Sequence, residues 1–378
     1  MPNLINAITR SRGGARGGVL LMAGIAGVFV AAGAASAATT TWTGGGDGTT
    51  FGQAANWSGG APSYSDGSSI ISKDGAVVSM GSGNYTSHGL GVGDVGPSGS
   101  TLNITGGTLT MSYDNMSVGD INNWGVSSMA GSRGTVNQTG GTVAIGNSTY
   151  PRDLEVAGAA SSNLSSAAYG EYNFGSPTAG TAPTLDVSRG LSIGTRGNEV
   201  GAFSASGYGT INVGSLNLGL YGGAATFSVS GSHESISAGA VTLSEYGTPV
   251  INFTLDAGGA SAISVSGSVD FSNTAQATNN TMFNLALAPS FQAKVGDTFT
   301  IINATGAFTG FGQFGDLANG QTLAVGNYTF QANYTNLGGG SQLSLQVVSA
   351  PAVPEPASLG MLGAGALGLL LLKRRLKT

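Results

Sequence analysis

Apolar residues recur at every second position in short segments through the middle of the chain. Pairs such as Leu102 and Ile104, or Leu191 and Ile193, place two apolar side chains on one face of a strand. Gly, Asn, Ser, Thr and Asp separate these pairs, and they are the residues that favour turns. Outside the termini, no window shows the 3.6-residue period of an amphipathic helix. The pattern predicts an all-β fold.

The strand sequences also repeat. LNITGGT at residues 102–108 recurs as VNQTGGT at residues 136–142, and weaker copies begin at Tyr172, Phe203 and Phe227. Repeats of about 24 to 36 residues without helices are typical of a solenoid, in which neighbouring repeats bury each other's apolar face. A right-handed parallel β-helix (β-solenoid) fits best. A β-sandwich array is the alternative, and it would need antiparallel hairpins.

The two ends of the repeat region differ in composition. WTGGGDG at residues 42–48 and NWSGG at residues 56–60 resemble the start of autotransporter-like β-helix proteins, and this resemblance implies an N-terminal coil that closes the solenoid. We expect Trp42 and Trp57 to cover the first coil, the alternative being exposed rings that stack on a sugar. At the other end, Phe308, Phe311 and Phe314 are predicted to pack in a second cap.

The first 37 residues have the three parts of a secretory signal peptide. Three arginines precede the apolar segment 19–30, and Ala35-Ser36-Ala37 offers a cleavage site before Ala38. The alternatives are a membrane anchor or a buried helix, but the apolar segment is short for a spanning helix. The pattern predicts export through the Sec translocon.

The C-terminus carries Val353-Pro354-Glu355-Pro356, then sixteen uncharged residues at 357–372, then a basic cluster that contains Arg374 and Arg375. Sixteen helical residues reach about 24 Å, so flanking basic side chains must help them to span a bilayer. This tail resembles the PEP-CTERM sorting signal of Gram-negative bacteria. The resemblance implies that an exosortase in the inner membrane cuts near Pro-Glu-Pro and releases the protein to the surface or the exopolysaccharide matrix. A permanent membrane anchor is the alternative.

These features predict six consecutive regions. They are a signal peptide (1–37), an N-terminal cap (38–98), β-helix repeats (99–281), a C-terminal β capping module (282–348), a linker (349–352) and the sorting signal (353–378) with its transmembrane helix (357–372).

Composition narrows the chemistry. The chain has 378 residues, of which 66 are Gly and only 8% are charged. Because none is Cys, thiolate catalysis, disulfides and Cys-based zinc sites are excluded. Removing residues 1–37 and 357–378 leaves 13 − 7 = 6 basic residues against 18 acidic ones, a net charge of −12. That balance argues against nucleic acid as a partner.

Two catalytic sequence motifs are present, but the secondary structure predicted around them is not the one that their chemistry needs. Residues 190–194 match G-x-S-x-G and residues 91–96 match G-x-G-x-x-G, but no helix follows either one. His88 and His233 have no suitably spaced acidic partner. The remaining concentration of charge is Arg152, Asp153 and Glu155, joined by Asp186 and Arg189 from a later repeat. We expect exposed turns and an ion pair there, and no enzymatic activity, metal or cofactor.

The sequence therefore predicts an exported, exosortase-processed protein with a structural or adhesive role in exopolysaccharide or biofilm. Extracellular polysaccharide is the predicted partner, and the membrane is a partner only before processing. Asn103 and Asn137, at equivalent repeat positions, are predicted to stack in a ladder. Two alternatives stay open: a β-helix polysaccharide lyase or hydrolase, and a permanently membrane-anchored surface protein.

Overall fold

The computed structural model describes residues 39–65, 67–93, 98–119, 131–158, 168–243, 246–271, 279–337 and 340–351. All of them belong to one compact unit, Ala37–Thr378. The all-β prediction is confirmed within these ranges, where the helical segments are three single 3-10 turns at Ala54–Asn56, Ala179–Thr181 and Leu220–Gly222.

The strands are β1 (Thr40–Thr41), β2 (Ser69–Ile71), β3 (Val77–Met80), β4 (Asn84–Ser87), β5 (Leu90–Val92), β6 (Ser100–Met111), β7 (Met116–Val118), β8 (Arg133–Ile145), β9 (Leu154–Val156), β10 (Tyr169–Phe174), β11 (Thr184–Ile193), β12 (Val200–Ser206), β13 (Gly209–Leu218), β14 (Ala224–Ser230), β15 (Glu234–Ala238), β16 (Val241–Leu243), β17 (Thr248–Leu255), β18 (Ile263–Val265), β19 (Val269–Phe271), β20 (Met282–Leu287), β21 (Thr298–Ala304), β22 (Phe308–Gly310), β23 (Thr322–Val325), β24 (Tyr328–Leu337) and β25 (Gly340–Ser349).

Three parallel ladders organise strands β1 to β22. The first joins β3, β6, β8, β10, β12, β14, β17 and β20. The second joins β4, β6, β8, β11, β13, β15, β18 and β21. The third joins β1, β2, β5, β7, β9, β11, β13, β16, β19 and β22. The long strands β6, β8, β11 and β13 each take part in two ladders, because their two halves pair with different strands.

Residues at equivalent repeat positions pair directly with one another. Leu102 pairs with Val136, Val136 with Tyr172, Tyr172 with Phe203, and Phe203 with Phe227. The last three rings form a buried stack, with centroids 5.2 and 5.5 Å apart and planes within 17°. The sequence repeat therefore sets the register of the core, since each apolar side chain lies over its counterpart in the next repeat.

The hydroxyl group of Tyr172 is the polar group of this buried stack, and it is hydrogen-bonded. The Tyr172 hydroxyl donates a hydrogen bond to Gln138 Oε1 at 2.7 Å. The Gln138 amide nitrogen in turn donates to the Thr184 carbonyl at 2.9 Å. Burial raises the pKa of Tyr172, so the phenol stays protonated and keeps its donor role.

The Gly-Gly pairs of the repeat lie inside β6 and β8, where the pairing register shifts between the two halves of each strand. Gly107 and Gly141 both have left-handed backbones, with φ of +77° and +70°. A Cβ atom at Gly141 would lie 2.5 Å from the Gly107 carbonyl oxygen, and one at Gly107 would lie 2.4 Å from that of Gly83. Both the backbone conformation and the close approach of successive repeats therefore require glycine here.

The C-terminal strands pair differently. β23, β24 and β25 form an antiparallel sheet, and β25 also pairs antiparallel with β21. Phe314 is buried against Phe271 and Phe283, and Phe308 also contacts Phe271. The expected packing is thus observed for Phe308 and Phe314, but Phe311 is exposed because it lies in the turn after β22.

Candidate functional site

The predicted sorting and cleavage residues lie outside the described part of the chain. These are Val353, Pro354, Glu355, Pro356, Arg374 and Arg375, with the helix at 357–372, and Ala35, Ala37 and Ala38. In the ranges that the structure describes, no helix has the length and apolar character needed to cross a membrane.

The charged residues considered for catalysis are tied into contacts between repeats. Asp153 receives two hydrogen bonds from the Arg189 guanidinium, including one from Nε to Oδ1 at 2.8 Å, and the pair forms an ion pair. This hydrogen bonding raises the pKa of Arg189 above its already high value. A break in the pairing register of β11, between Val187 and Gly190, places Arg189 where it reaches the preceding repeat.

The neighbouring carboxylates have other partners. Glu155 accepts hydrogen bonds from Asn115 Nδ2 at 3.1 Å and from Ser117 Oγ at 3.2 Å. Asp186 accepts one from Asn212 Nδ2 at 2.8 Å instead of joining the ion pair. The expected grouping is therefore correct for Asp153 and Arg189 and wrong for Asp186, because Asp186 lies in the regular part of β11.

Arg152 belongs to the same turn through its backbone. Its N–H donates to Ser188 Oγ at 2.9 Å, and its Nε atom is buried without a partner. No group of three or more His, Asp or Glu side chains suited to a metal ion occurs in the described ranges.

The first glycine motif lacks the geometry that its chemistry requires, and most of the second lies outside the described ranges. Ser192 lies inside β11 between the fully buried Leu191 and Ile193, and its Oγ atom accepts a hydrogen bond from Asn217. A nucleophile elbow needs a sharp strand-to-helix turn at this serine, and β11 continues through it. Residues 91–92 of the other motif lie in β5, and residues 94–96 are outside the described ranges.

The asparagine ladder occurs as expected. Asn137 Nδ2 donates to Asn103 Oδ1 at 2.8 Å, and Asn173 Nδ2 donates to Asn137 Oδ1 at 3.0 Å. Farther along the same ladder of strands, Asn284 donates to Asn252 at 3.0 Å. Each amide satisfies its neighbour, so a row of polar side chains stays fixed on the outer face of the sheet.

Four aromatic side chains lie together at turns of successive repeats, and the sequence analysis did not predict their contact. Tyr113 is central: its ring centroid lies 5.2 Å from that of Tyr64, 5.4 Å from that of His88 and 4.7 Å from that of Tyr150. Tyr64 precedes β2, His88 lies between β4 and β5, Tyr113 between β6 and β7, and Tyr150 between β8 and β9. We call these four residues the aromatic row.

Local hydrogen bonds fix the turns that present the aromatic row. Asn147 Oδ1 accepts hydrogen bonds from the backbone N–H groups of Thr149 and Tyr150, both at 2.9 Å. The His88 carbonyl accepts from the N–H groups of Tyr113 and Asp114 at 3.3 and 2.7 Å. Hydrogen bonding to Tyr64, with burial adding to it, raises the pKa of Tyr113, so this phenol is uncharged at neutral pH.

A surface groove of about 410 Å³ opens beside the three tyrosines of the aromatic row. Ser112, Asn147, Ser148 and Thr149 complete its lining, and none of the lining residues is charged. We call this depression the tyrosine groove. The sequence signal that could have found it is the recurrence of tyrosine after β6 and after β8, the two strands that contain the clearest repeat.

A second surface depression differs from the tyrosine groove because its lining includes charged residues. About 350 Å³ in size, it lies beside Arg133, Tyr169 and Glu171, and the Arg133 guanidinium carbon is 4.1 Å from the Tyr169 ring centroid. Because that arginine already covers the ring, the aromatic face is not available to a ligand.

Comparison with known families identifies one segment of the chain. Residues 352–375 match the PEP-CTERM protein-sorting motif. Neither the curated proteins nor the solved structures include a significant match to the chain. The motif supports an exported protein that an exosortase sorts, and it implies delivery to the cell envelope or surface of a Gram-negative bacterium.

Proposed function

We propose that this chain is an exosortase-processed structural or adhesive protein of the extracellular polysaccharide matrix, built on a right-handed parallel β-helix. The observation that carries the proposal is the sorting motif at residues 352–375. In this pathway the Sec translocon exports the chain, the C-terminal helix anchors it transiently, and cleavage near Pro354-Glu355-Pro356 releases it.

The strand pairing supports the β-helix. All ladders that join β1 to β22 in the described ranges are parallel, and each links strands from successive repeats. A sandwich array would need antiparallel hairpins throughout, whereas antiparallel ladders here involve only β21 and the last three strands. The right hand is the one that parallel crossover connections favour.

The outer surface supports a matrix role over catalysis. Along the strands the outward positions hold mainly Ser, Thr and Asn, as in the asparagine ladder of Asn103, Asn137 and Asn173. Each such group binds a sugar hydroxyl only weakly through a hydrogen bond. Many copies on one rigid scaffold can raise the overall affinity through multivalency. Among the charged residues considered for a lyase or hydrolase site, Asp153 and Arg189 form an ion pair with each other.

The test is mass spectrometry of the protein recovered from membrane and matrix fractions of the cells that make it. We expect a species that begins at Ala38 and ends near Pro356 in the matrix. A variant with Pro354, Glu355 and Pro356 replaced by alanine should keep residues 373–378 and stay in the membrane fraction. The matched control is Pro351→Ala, which changes a nearby proline outside the matched motif.

Two outcomes would overturn the proposal. A wild-type protein that keeps its tail and remains in the membrane is an anchored surface protein. A mature protein that shortens the polysaccharide chains of the matrix, and loses this activity in Asp153→Asn, is a glycan-degrading enzyme.

A further inference from the structure

We infer that the tyrosine groove binds an uncharged stretch of polysaccharide, with sugar rings packed on Tyr64 and Tyr150. The inference rests on the proposed function, which brings the protein into contact with extracellular glycans. It goes further because it assigns recognition to one groove at the turns of the first repeats, in addition to many weak contacts along the strands.

The first argument is the exposure of the rings. Tyr64 is 51% exposed and Tyr150 is 42% exposed, while the aromatic side chains of the core, such as Phe203 and Phe227, are fully buried. Tyr64 and Tyr150 each pack one part of the ring against Tyr113, and the rest of each ring faces solvent. Neighbouring exposed aromatic rings with hydroxyl tips are suited to a ligand that has both apolar and polar surface.

The second argument is the chemistry of the lining. The groove combines three aromatic rings with the polar side chains of Ser112, Asn147 and Thr149, and none of its described lining residues is Lys, Arg, Asp or Glu. A pyranose ring presents C–H groups on its faces and hydroxyls at its rim, so both kinds of lining find a partner. A purely apolar ligand would leave the polar groups unsatisfied, and a polyanion would find no cation.

The third argument is size and rigidity. The groove has a volume of about 410 Å³ and is widely open to solvent, so it suits part of a longer chain better than an enclosed small molecule. The turn that presents Tyr150 is fixed by Asn147, and Tyr113 is fixed between its ring neighbours and the His88 carbonyl. Because these groups are already ordered, binding loses little conformational entropy.

The test uses the full chain, purified in a detergent without a sugar head group. Binding of uncharged hexasaccharides of glucose, galactose, mannose and N-acetylglucosamine is measured by saturation-transfer NMR and titration calorimetry, with a galacturonic acid hexasaccharide as the charged comparison. At least one uncharged probe should bind, and the double variant Tyr64→Ala/Tyr150→Ala should weaken its binding by about tenfold or more.

Two controls separate ring stacking from other effects. Tyr150→Phe keeps the ring and should keep most of the affinity. Tyr221→Ala removes the most exposed tyrosine among the described residues, at a turn between β13 and β14, and should change nothing. The inference is wrong if none of the uncharged probes binds, if the charged probe binds more tightly, or if the double variant binds as well as the wild type.

Fractionation of cells distinguishes failure of this inference from failure of the proposed function. If the wild type and the double variant both accumulate in the matrix but bind the probes equally, the matrix role stands and the groove is not its binding site. If the wild type is absent from the matrix, the proposed function fails whatever the groove binds in solution.

Discussion

Two regions near the start of the described chain use aromatic side chains in opposite ways. In the first, Trp42 and Trp57 are only 3% and 4% exposed, and their rings meet edge to face at 5.1 Å. Trp57 also packs against Phe51 and donates its indole N–H to the Phe51 carbonyl at 2.7 Å. In the aromatic row, Tyr64 and Tyr150 are about half exposed. We call the first region the tryptophan cap.

The hydrogen-bonded side chains of the two regions also differ in burial. Asn56, fully buried in the tryptophan cap, accepts from the N–H groups of Gly46 and Gly48 and donates to Asp47 and Thr50. In the aromatic row, Tyr113 forms side-chain hydrogen bonds with Tyr64 and Tyr150 at the surface, beside the tyrosine groove. The rings of the tryptophan cap are therefore part of the buried core, whereas the half-exposed rings of Tyr64 and Tyr150 remain accessible to a ligand.

The largest expected effect is on the stability of the tryptophan cap. Trp57→Ala removes a buried ring and its hydrogen bond, so local stability should fall by about 3–5 kcal/mol. Hydrogen-exchange mass spectrometry of residues 40–60 measures this loss. Tyr64→Ala is the matched control. A loss of less than about 1 kcal/mol for Trp57→Ala would remove the distinction between the two regions.

A smaller loss is expected for Asn56→Ala. The substitution removes a fully buried amide and its hydrogen bonds to Gly46, Gly48, Asp47 and Thr50, which should cost about 2–3 kcal/mol at roughly 1 kcal/mol per bond. The same exchange experiment detects it as faster exchange at the amides of Gly46 and Gly48. Asn284→Ala, at an exposed position of the ladder, should stay within about 1 kcal/mol of the wild type. Equal effects of the two substitutions would contradict the account.

The third prediction concerns pH. Hydrogen bonds from the Thr50 side chain, from the N–H groups of Thr50 and Thr49, and from Asn56 hold the pKa of Asp47 well below its usual range. A carboxylate with a lowered pKa contributes stability above its unfolded pKa, and the contribution is lost as pH falls toward the folded value. Exchange in residues 46–50 should therefore accelerate below about pH 4 relative to the intrinsic rate.

Asp47→Asn provides the comparison for that experiment. Its side chain does not titrate, so the acid-induced acceleration should shrink while exchange at neutral pH becomes faster than in the wild type. An unchanged acid response in Asp47→Asn would assign the effect to another group.

The smallest effect on stability is expected in the aromatic row. Tyr64→Ala and Tyr150→Ala each remove an exposed ring, so their stability should stay within about 0.5 kcal/mol of the wild type. Thermal unfolding of the full chain followed by circular dichroism checks this. A loss above about 2 kcal/mol would show that these rings hold the turns in place, in which case their exposure is not a sign of ligand binding.

Much of the fold could be predicted from the sequence, because the apolar positions of the core follow a regular local pattern along the chain. Period-two apolar pairs identify the strands, and repeated sequence such as residues 102–108 and 136–142 predicts which strands pair. An ion pair was also expected among the charged residues around Arg152, and the structure forms it between Asp153 and Arg189. Trp42 and Trp57 are buried, so the alternative of exposed rings that stack on a sugar is wrong for these two residues.

The aromatic row could not be predicted in the same way. Its members come from turns of unequal length: residues 112–115 connect β6 to β7, whereas residues 146–153 connect β8 to β9. Period two ends where a strand ends, and turn geometry then depends on local bonds such as those of Asn147. Likewise, the bond between Asp186 and Asn212 depends on strand register rather than on the charge pattern that suggested a cluster.

Hydroxyl-radical footprinting of the full chain, with and without the polysaccharide of its own matrix, tests the central comparison most directly. We predict that the polysaccharide protects Tyr64 and Tyr150 from oxidation, and that Trp42 and Trp57 react slowly in both conditions because they are buried. Equal oxidation of the two tyrosines with and without polysaccharide, or fast oxidation of the two tryptophans, would contradict the account.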